Sequence, residues 1–262
     1  MFQRELTTAA GFSRDPVGET GEANPEPGII HKYHGRVLLV VAGGCAVNCR
    51  YCFRRHFPYA ENNNARQQWQ NALDYVLARP EITEVILSGG DPLIARDRQL
   101  QDLVGQIAAI PHVRRLRIHT RLPVVIPDRV TSALLEAVSH PALKTVLVLH
   151  SNHAREIDES VVAAVAAARQ FEIEVLNQAV LLGGVNDSAS ALVDLSEALF
   201  AAGILPYYLH LLDPVEGAAH FDIPESRARE LMLEVRARLP GYMVPRLVRE
   251  IAGADAKTGI AL

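Results

Sequence analysis

Sulfur and indole are scarce in this chain: its 262 residues include three cysteines, three methionines and one tryptophan. All three cysteines lie between positions 45 and 52, so none remains elsewhere to pair with, and a disulfide framework does not fit. Long apolar runs are also missing. Nothing approaches the roughly 18 residues that a membrane helix needs, and the start, Met1 to Ala10, lacks a charged-then-apolar leader pattern. There is no excess of positive charge. Lys plus Arg is 26 against 30 for Asp plus Glu, a net charge of −4, which offers no general attraction to nucleic acid or to an anionic membrane. Nor is there compositional bias: 49% apolar and 21% charged residues exclude a disordered, collagen-like or acidic-tail protein. The expectation is a folded, cytoplasmic chain that acts on a small molecule.

Residues 1 to 30 carry Gly, Pro, Asp and Glu with little periodicity and read as an extended arm. Beyond them, short β-branched or Leu-rich runs alternate with segments of helical period, the pattern of consecutive βα units. Strands are expected at Val37 to Val41, Glu84 to Ser88, Arg114 to His119, Thr145 to His150, Glu174 to Leu181 and Pro206 to Leu211. Helices are expected at Arg66 to Ala78, Asp97 to Ala109, Asp128 to Val138, Glu156 to Arg169, Ser188 to Ala201 and Glu225 to Leu239. Asp128 suits an N-cap, Asp187 or Ser188 another, and Gly203 sits where a C-terminal glycine belongs. Six such units suggest an α/β fold with a curved parallel sheet, a partial (βα)6 TIM-type barrel. Polar residues gather at the strand C-terminal ends, at Ser88 to Asp91, His119 to Arg121, His150 to Asn152, Gln178 and Asp213, where barrel enzymes place their chemistry.

The segment after the first of these strands runs Gly-Gly-Cys45-Ala-Val-Asn-Cys49-Arg-Tyr-Cys52-Phe-Arg-Arg, a C-x3-C-x2-C spacing. Zinc would want a fourth ligand, and nearby His56 could serve. An iron–sulfur cubane held by three thiolates instead leaves one iron open to a small molecule. On that loop the spacing resembles the signature of the radical S-adenosylmethionine (SAM) superfamily, whose fold is a partial (βα)6 barrel and whose cofactors are a 4Fe–4S cluster and SAM. The resemblance makes Cys45, Cys49 and Cys52 the cluster ligands. It also makes Ser88, Gly89, Gly90 and Asp91 the glycine-rich SAM-binding motif. Read alone, those glycines allow close backbone approach and Asp91 can meet an ammonium, or the segment is an ordinary turn capped by Asp91.

A narrower resemblance covers nearly the whole chain. His31 to Arg36, the Cys-Arg-Tyr-Cys-Phe-Arg-Arg-His-Phe run from Cys49 to Phe57 and onward to Asn62, Leu176 to Leu182, Pro206 to His210 and Ala256 to Thr258 together resemble lysine 2,3-aminomutases. They most resemble the short members that make (R)-β-lysine for elongation factor P. Aminomutation moves nitrogen between adjacent carbons, which pyridoxal phosphate (PLP) makes feasible, and PLP needs a lysine. Lysine is rare here, at positions 32, 144 and 257 only. The resemblance makes Lys257 the PLP lysine, although on its own it reads as a solvated tail residue. It sets Lys32 and Arg36 at the PLP phosphate, Tyr33 against the ring, and His150 and Gln178 in the SAM and PLP region. It makes Arg54 the grip on the substrate α-carboxylate, and Asp213 with Glu250 the pair receiving the distal ammonium. Two departures stand out: Gly259 follows Lys-Thr where the family usually has Pro, and the free-lysine enzyme has Asp where this chain has Glu250.

The resemblance divides the chain into an arm (1–35), a radical SAM partial barrel (36–240) and a PLP-lysine segment (241–262). It implies L-lysine as substrate, an electron donor such as flavodoxin or ferredoxin, and a functional link to elongation factor P and its lysine ligase, with room for a homo-oligomer. Two other readings stay open: a free-lysine aminomutase of catabolism or secondary metabolism, and an iron–sulfur electron-transfer or structural protein without turnover.

Overall fold

The computed structural model describes residues 9–62 and 66–262. Its frame is one nine-stranded sheet in which neighbours in sequence are neighbours in space. The strands are β1 (Ile29–Tyr33), β2 (Arg36–Ala42), β3 (Glu84–Gly89), β4 (Arg115–Thr120), β5 (Lys144–Leu149), β6 (Glu174–Val180), β7 (Leu205–His210), β8 (Arg246–Arg249) and β9 (Thr258–Gly259). From β2 to β8 every pairing is parallel, and β1 and β9 add antiparallel edges. The two edges are not paired with each other, so the barrel stays open, as expected for a partial (βα)6 barrel.

The helices are α1 (Arg66–Leu77), α2 (Asp97–Ala108), α3 (Leu122–Val125), α4 (Ser132–Val138), α5 (Glu159–Gln170), α6 (Ala189–Ala201) and α7 (Glu225–Arg238). They cover the outer face because the strands alternate. Leu39, Leu87, Leu116, Ile118 and Leu149 are fully buried in the main core. Their neighbours Leu38, Ile86, Arg117, Val146 and Leu176 face the interior cavity. Period-two side-chain direction on a sheet whose other face is closed by helices produces this division. Among the described residues no helix is long and apolar enough to cross a membrane.

The six expected strands all form, with ends shifted by one residue at most. Three short strands go beyond the expectation. β1 joins the sheet from within the segment expected to be an arm (1–35), while β8 and β9 extend it from within the 241–262 segment. Residues 1–8 of that arm lie outside the described residues.

Two helix starts differ from the expectation. Asp128 does not cap; it sits in a 3-10 turn, Pro127–Arg129, and α4 begins three residues later with Thr131 Oγ1 accepting from Leu134 N at 3.2 Å. Proline fixes φ and keeps its predecessor out of the helical region, and Ile126 accordingly lies outside it, with φ −143° and ψ 72°. In the same way α5 starts at Glu159 under an Asp158 cap, because Glu156 is spent on the preceding turn. Ser188 does cap α6, and Gly203, with φ +77°, closes it. Thr131→Ala should therefore cost about 1 kcal/mol in chemical denaturation, and Asp128→Ala less than about 0.5 kcal/mol. Equal costs would contradict this cap assignment.

Candidate active site

The strand C-terminal ends open into one cavity of about 480 Å³, in the range of small-molecule sites. Cys45, Cys49 and Cys52 reach it from the loop after β2, with Cys45 exposed and the other two half-buried. That loop lies directly on the turn after β3. Gly90 N donates to Ala42 O and Asp91 N to Gly44 O, both at 2.8 Å. Approach this close needs glycine: a Cβ on Gly90 would come 1.9 Å from Gly44 O, and Gly89 has φ +114°.

Asp91 ties the next turn to the same place. Its carboxylate accepts from Leu93 N (3.1 Å), Thr120 Oγ1 (2.6 Å), Arg121 N (2.8 Å) and Leu122 N (3.0 Å). These four bonds fill the acceptor positions of a carboxylate, so none is left over for a ligand ammonium. Ser88 is also engaged, its Oγ accepting from Arg54 Nη1 at 3.0 Å.

The chemistry of the three cysteines suits a polynuclear cluster. Cys45, exposed on one side, is still desolvated enough by the loop around its sulfur to be pushed up to about 11, reinforced by Asp91, Cys52 and Cys49, and burial also raises Cys52. Three thiolates crowd one another unless a cationic group compensates them. Among the described residues no three His, Cys, Asp or Glu side chains, His56 included, converge tightly enough for a single ion. Ligands to three irons of a cubane need not converge on one point.

Side chains given no site role from the sequence steady this loop. Arg121 donates to Tyr51 Oη (2.7 Å), Glu156 Oε2 (2.6 Å) and Cys49 Sγ (3.3 Å), and Asn152 Nδ2 donates to Tyr51 Oη at 2.6 Å. Tyr59 Oη donates to Gly89 O at 2.6 Å. Arg121 and Asn152 belong to the polar strand ends already legible in sequence, but their shared partner Tyr51 lies 70 and 101 residues away.

Across the cavity, Lys257 Nζ donates to Glu250 Oε2 at 3.1 Å and approaches His210 Nε2 at 3.3 Å. Glu250 also pairs with Lys32, whose Nζ donates to Val17 O at 2.9 Å. Lys32 thus has a carboxylate partner that the sequence reading does not foresee. Burial would raise the Glu250 carboxyl, but Lys257 and Lys32 outweigh it and hold it near pKa 2. Asp213 goes the other way: burial, then the Glu250 charge, push it up to about 7, and its Oδ1 has no partner. Burial and the Lys257 charge keep His210 neutral. Burial first, then the cations Arg121, Lys257 and Arg54, bring His150 down to about 3, and Gln178 Nε2 lies 3.4 Å from its Nε2. Tyr33 lies beneath the Arg36 guanidinium at 4.4 Å. Arg54 is clasped by Glu19 at 2.6 and 2.7 Å, a pairing absent from the sequence expectations.

These residues also fit a PLP-type ligand: a lysine amine beside two proton acceptors, and unpartnered buried atoms on Asp213, Gln178 (Oε1) and His119 (Nε2), all lining the cavity.

The radical SAM superfamily pattern matches residues 39–195, and the chain belongs to that superfamily, whose membership implies a 4Fe–4S cluster and SAM. The fold agrees. A radical SAM methyltransferase from Sphaerobacter thermophilus aligns with TM-score 0.55 and 22% identity over 84% of this chain and 68% of that one. Within the superfamily the chain is 54% identical over 260 residues to the L-lysine 2,3-aminomutase of Escherichia coli (strain K12), covering 99% of this chain and 75% of that protein. The Haemophilus influenzae L-lysine 2,3-aminomutase is 52% identical over 97% and 75%, and that of Clostridium subterminale 35% identical over 98% and 61%. The chain is a member of the L-lysine 2,3-aminomutase family of isomerases.

Gly90→Ala should leave the helical circular dichroism intact while iron bound after reconstitution falls to a minor fraction of the parent's, because the added methyl displaces Gly44 and the cysteines beyond it. Full iron content in that variant would refute the close-approach argument.

Proposed function

We propose that this chain is a PLP-dependent radical SAM lysine 2,3-aminomutase that converts L-lysine to (R)-β-lysine for the modification of elongation factor P. The observation that carries the reading is the shared cavity. A cluster-type cysteine set, a lysine amine, a guanidinium and two carboxylates of opposite titration behaviour all line it. When bound, the cluster with SAM supplies a one-electron route to a carbon radical, and PLP supplies the conjugated aldehyde that carries the migrating nitrogen.

The chain's own residues do the rest. Lys257 must be neutral to act as the PLP amine, and Glu250 Oε2 and His210 Nε2, at 3.1 and 3.3 Å, hold that amine in position. Lys32 and Arg36, flanking Tyr33, supply cations for a phosphate. Arg54 takes the α-carboxylate. With Lys257 holding PLP, Glu250 would lose one of its two cations, and the terminal ammonium of lysine would take its place. Asp213 then ionises beside that ammonium. Anchoring both ends fixes the carbon chain between them and excludes water from the reacting centre. A shorter diamino acid cannot satisfy both anchors at once.

The link to elongation factor P rests on the resemblance to the short family members. The chain spans 75% of the two relatives it matches at 54% and 52% identity, against 61% of the longer Clostridium protein. Loss of the β-lysyl mass from elongation factor P on deletion of the gene is the expected result. An unchanged mass would reassign the enzyme to free-lysine metabolism.

The reaction itself is tested anaerobically with iron–sulfur-reconstituted protein, SAM, PLP, dithionite and L-lysine. β-Lysine should appear by mass spectrometry after derivatisation. Lys257→Ala should form no product and lose the PLP absorbance; retention of both would exclude Lys257 from the role. Asp213 is protonated below its pKa of about 7 and charged above it, so lysine affinity should rise from pH 6 to pH 8. Asp213→Asn should flatten that rise in calorimetric titration, and a rise of undiminished size would remove Asp213 from the ammonium site.

A further inference from the structure

Residues 13–20, in the segment expected to be a featureless arm, touch the elements that carry all three proposed substrate anchors. Ser13 N donates to Pro214 O and Glu216 N donates to Ser13 O, both at 2.9 Å, which fixes the chain beside Asp213. Val17 is buried, and its carbonyl holds Lys32, the partner of Glu250. Gly18 lies so close to the Glu250 segment that a Cβ would stand 3.2 Å from that of Ala252. Glu19, 3% exposed, takes Arg54 by its Nε and Nη2. Asp15 sets the turn, accepting from Glu19 N at 2.9 Å and Thr20 N at 2.8 Å.

The guanidinium of Arg54 has five N–H groups. Glu19 uses two and Ser88 one, which leaves two, one on each terminal nitrogen. A carboxylate can still be taken there while Glu19 stays in place. Expelling Glu19 at each binding event would strand a buried charge, which is strongly unfavourable. Glu19 is therefore better suited to aim Arg54 than to occupy the substrate's position.

Building on the reading of Arg54 as the carboxylate anchor, we propose that residues 13–20 form a positioning strap. Glu19 orients Arg54 toward the substrate carboxylate. Ser13 locks the same segment to the element bearing Asp213, and Val17 (through Lys32) and Gly18 (against Ala252) tie it to Glu250, so the two ends of the site keep one spacing.

The test is anaerobic calorimetric titration of the reconstituted holoenzyme with L-lysine, with ornithine and with cadaverine, the diamine that lacks the carboxylate. Glu19→Gln should weaken lysine about tenfold or more and change cadaverine less than about twofold. The lysine-to-ornithine affinity ratio should narrow. Glu19→Asp keeps the charge inside the fold but draws Arg54 back by a methylene, and it should show the same selective loss to a smaller degree. It decides the matter if Glu19→Gln does not accumulate as folded protein. Equal losses for lysine and cadaverine, no loss, or tighter lysine binding would overturn the strap. An unchanged lysine-to-ornithine ratio would overturn its spacing role. Arg54→Lys, run in parallel, separates the two levels. If it loses lysine selectively and neither Glu19 variant does, the strap fails and the anchor reading stands. If it loses nothing, both fail.

Discussion

A buried carboxylate between two ammonium groups holds the two free edges of this barrel together. Lys32 sits on the first edge strand, β1; Glu250 follows β8, and Lys257 precedes the other edge strand, β9. No strand hydrogen bonds join β1 to β9, so ion pairing takes over where sheet pairing stops. A buried carboxylate is costly unless compensated, and two cations compensate it here. One of them is the amine proposed to carry PLP. The element that closes the open barrel is thus also the element the chemistry must rearrange.

The second consequence is electrostatic. Asp213 and Glu250 line one cavity, yet one is driven up and the other down. The difference lies in partners: Glu250 hydrogen-bonds two lysines, whereas at Asp213 burial and the Glu250 charge outweigh the pull of Lys257. Two carboxylates so separated can serve one incoming ammonium without both being charged while the site is empty. Burial, with the Lys257 charge acting on both, also keeps the imidazoles of His150 and His210 neutral.

Much of the scaffold was readable because its signals are local. Period-two runs such as Glu84 to Ser88 and helical-period runs such as Asp97 to Ala109 declare themselves within a dozen residues. β1, β8 and β9 do not: Ile-Ile-His-Lys-Tyr, Arg-Leu-Val-Arg and Thr-Gly become strands only by pairing with longer neighbours. Helix starts went astray where a proline or a competing side-chain bond intervened, at Pro127 and at Glu156. In the site, the residues named from sequence do line one cavity. The polar network around them, from Glu19 to Arg121 and Tyr51, was not legible, because each member is an ordinary residue until its distant partner is known.

The donor set can be read from residue order alone: three thiols at C-x3-C-x2-C spacing, glycines where backbones must touch, and a lysine near the end of a lysine-poor chain. Covalent spacing along the backbone is enough for that. Folding, not residue order, brings Lys32 to Glu250, 218 residues away, lets Glu19 clasp Arg54, and commits the Asp91 carboxylate to neighbouring turns. Those pairings depend on how near the sheet's curvature brings its unpaired edges, and curvature is a property of the packed barrel that no local run of residues encodes.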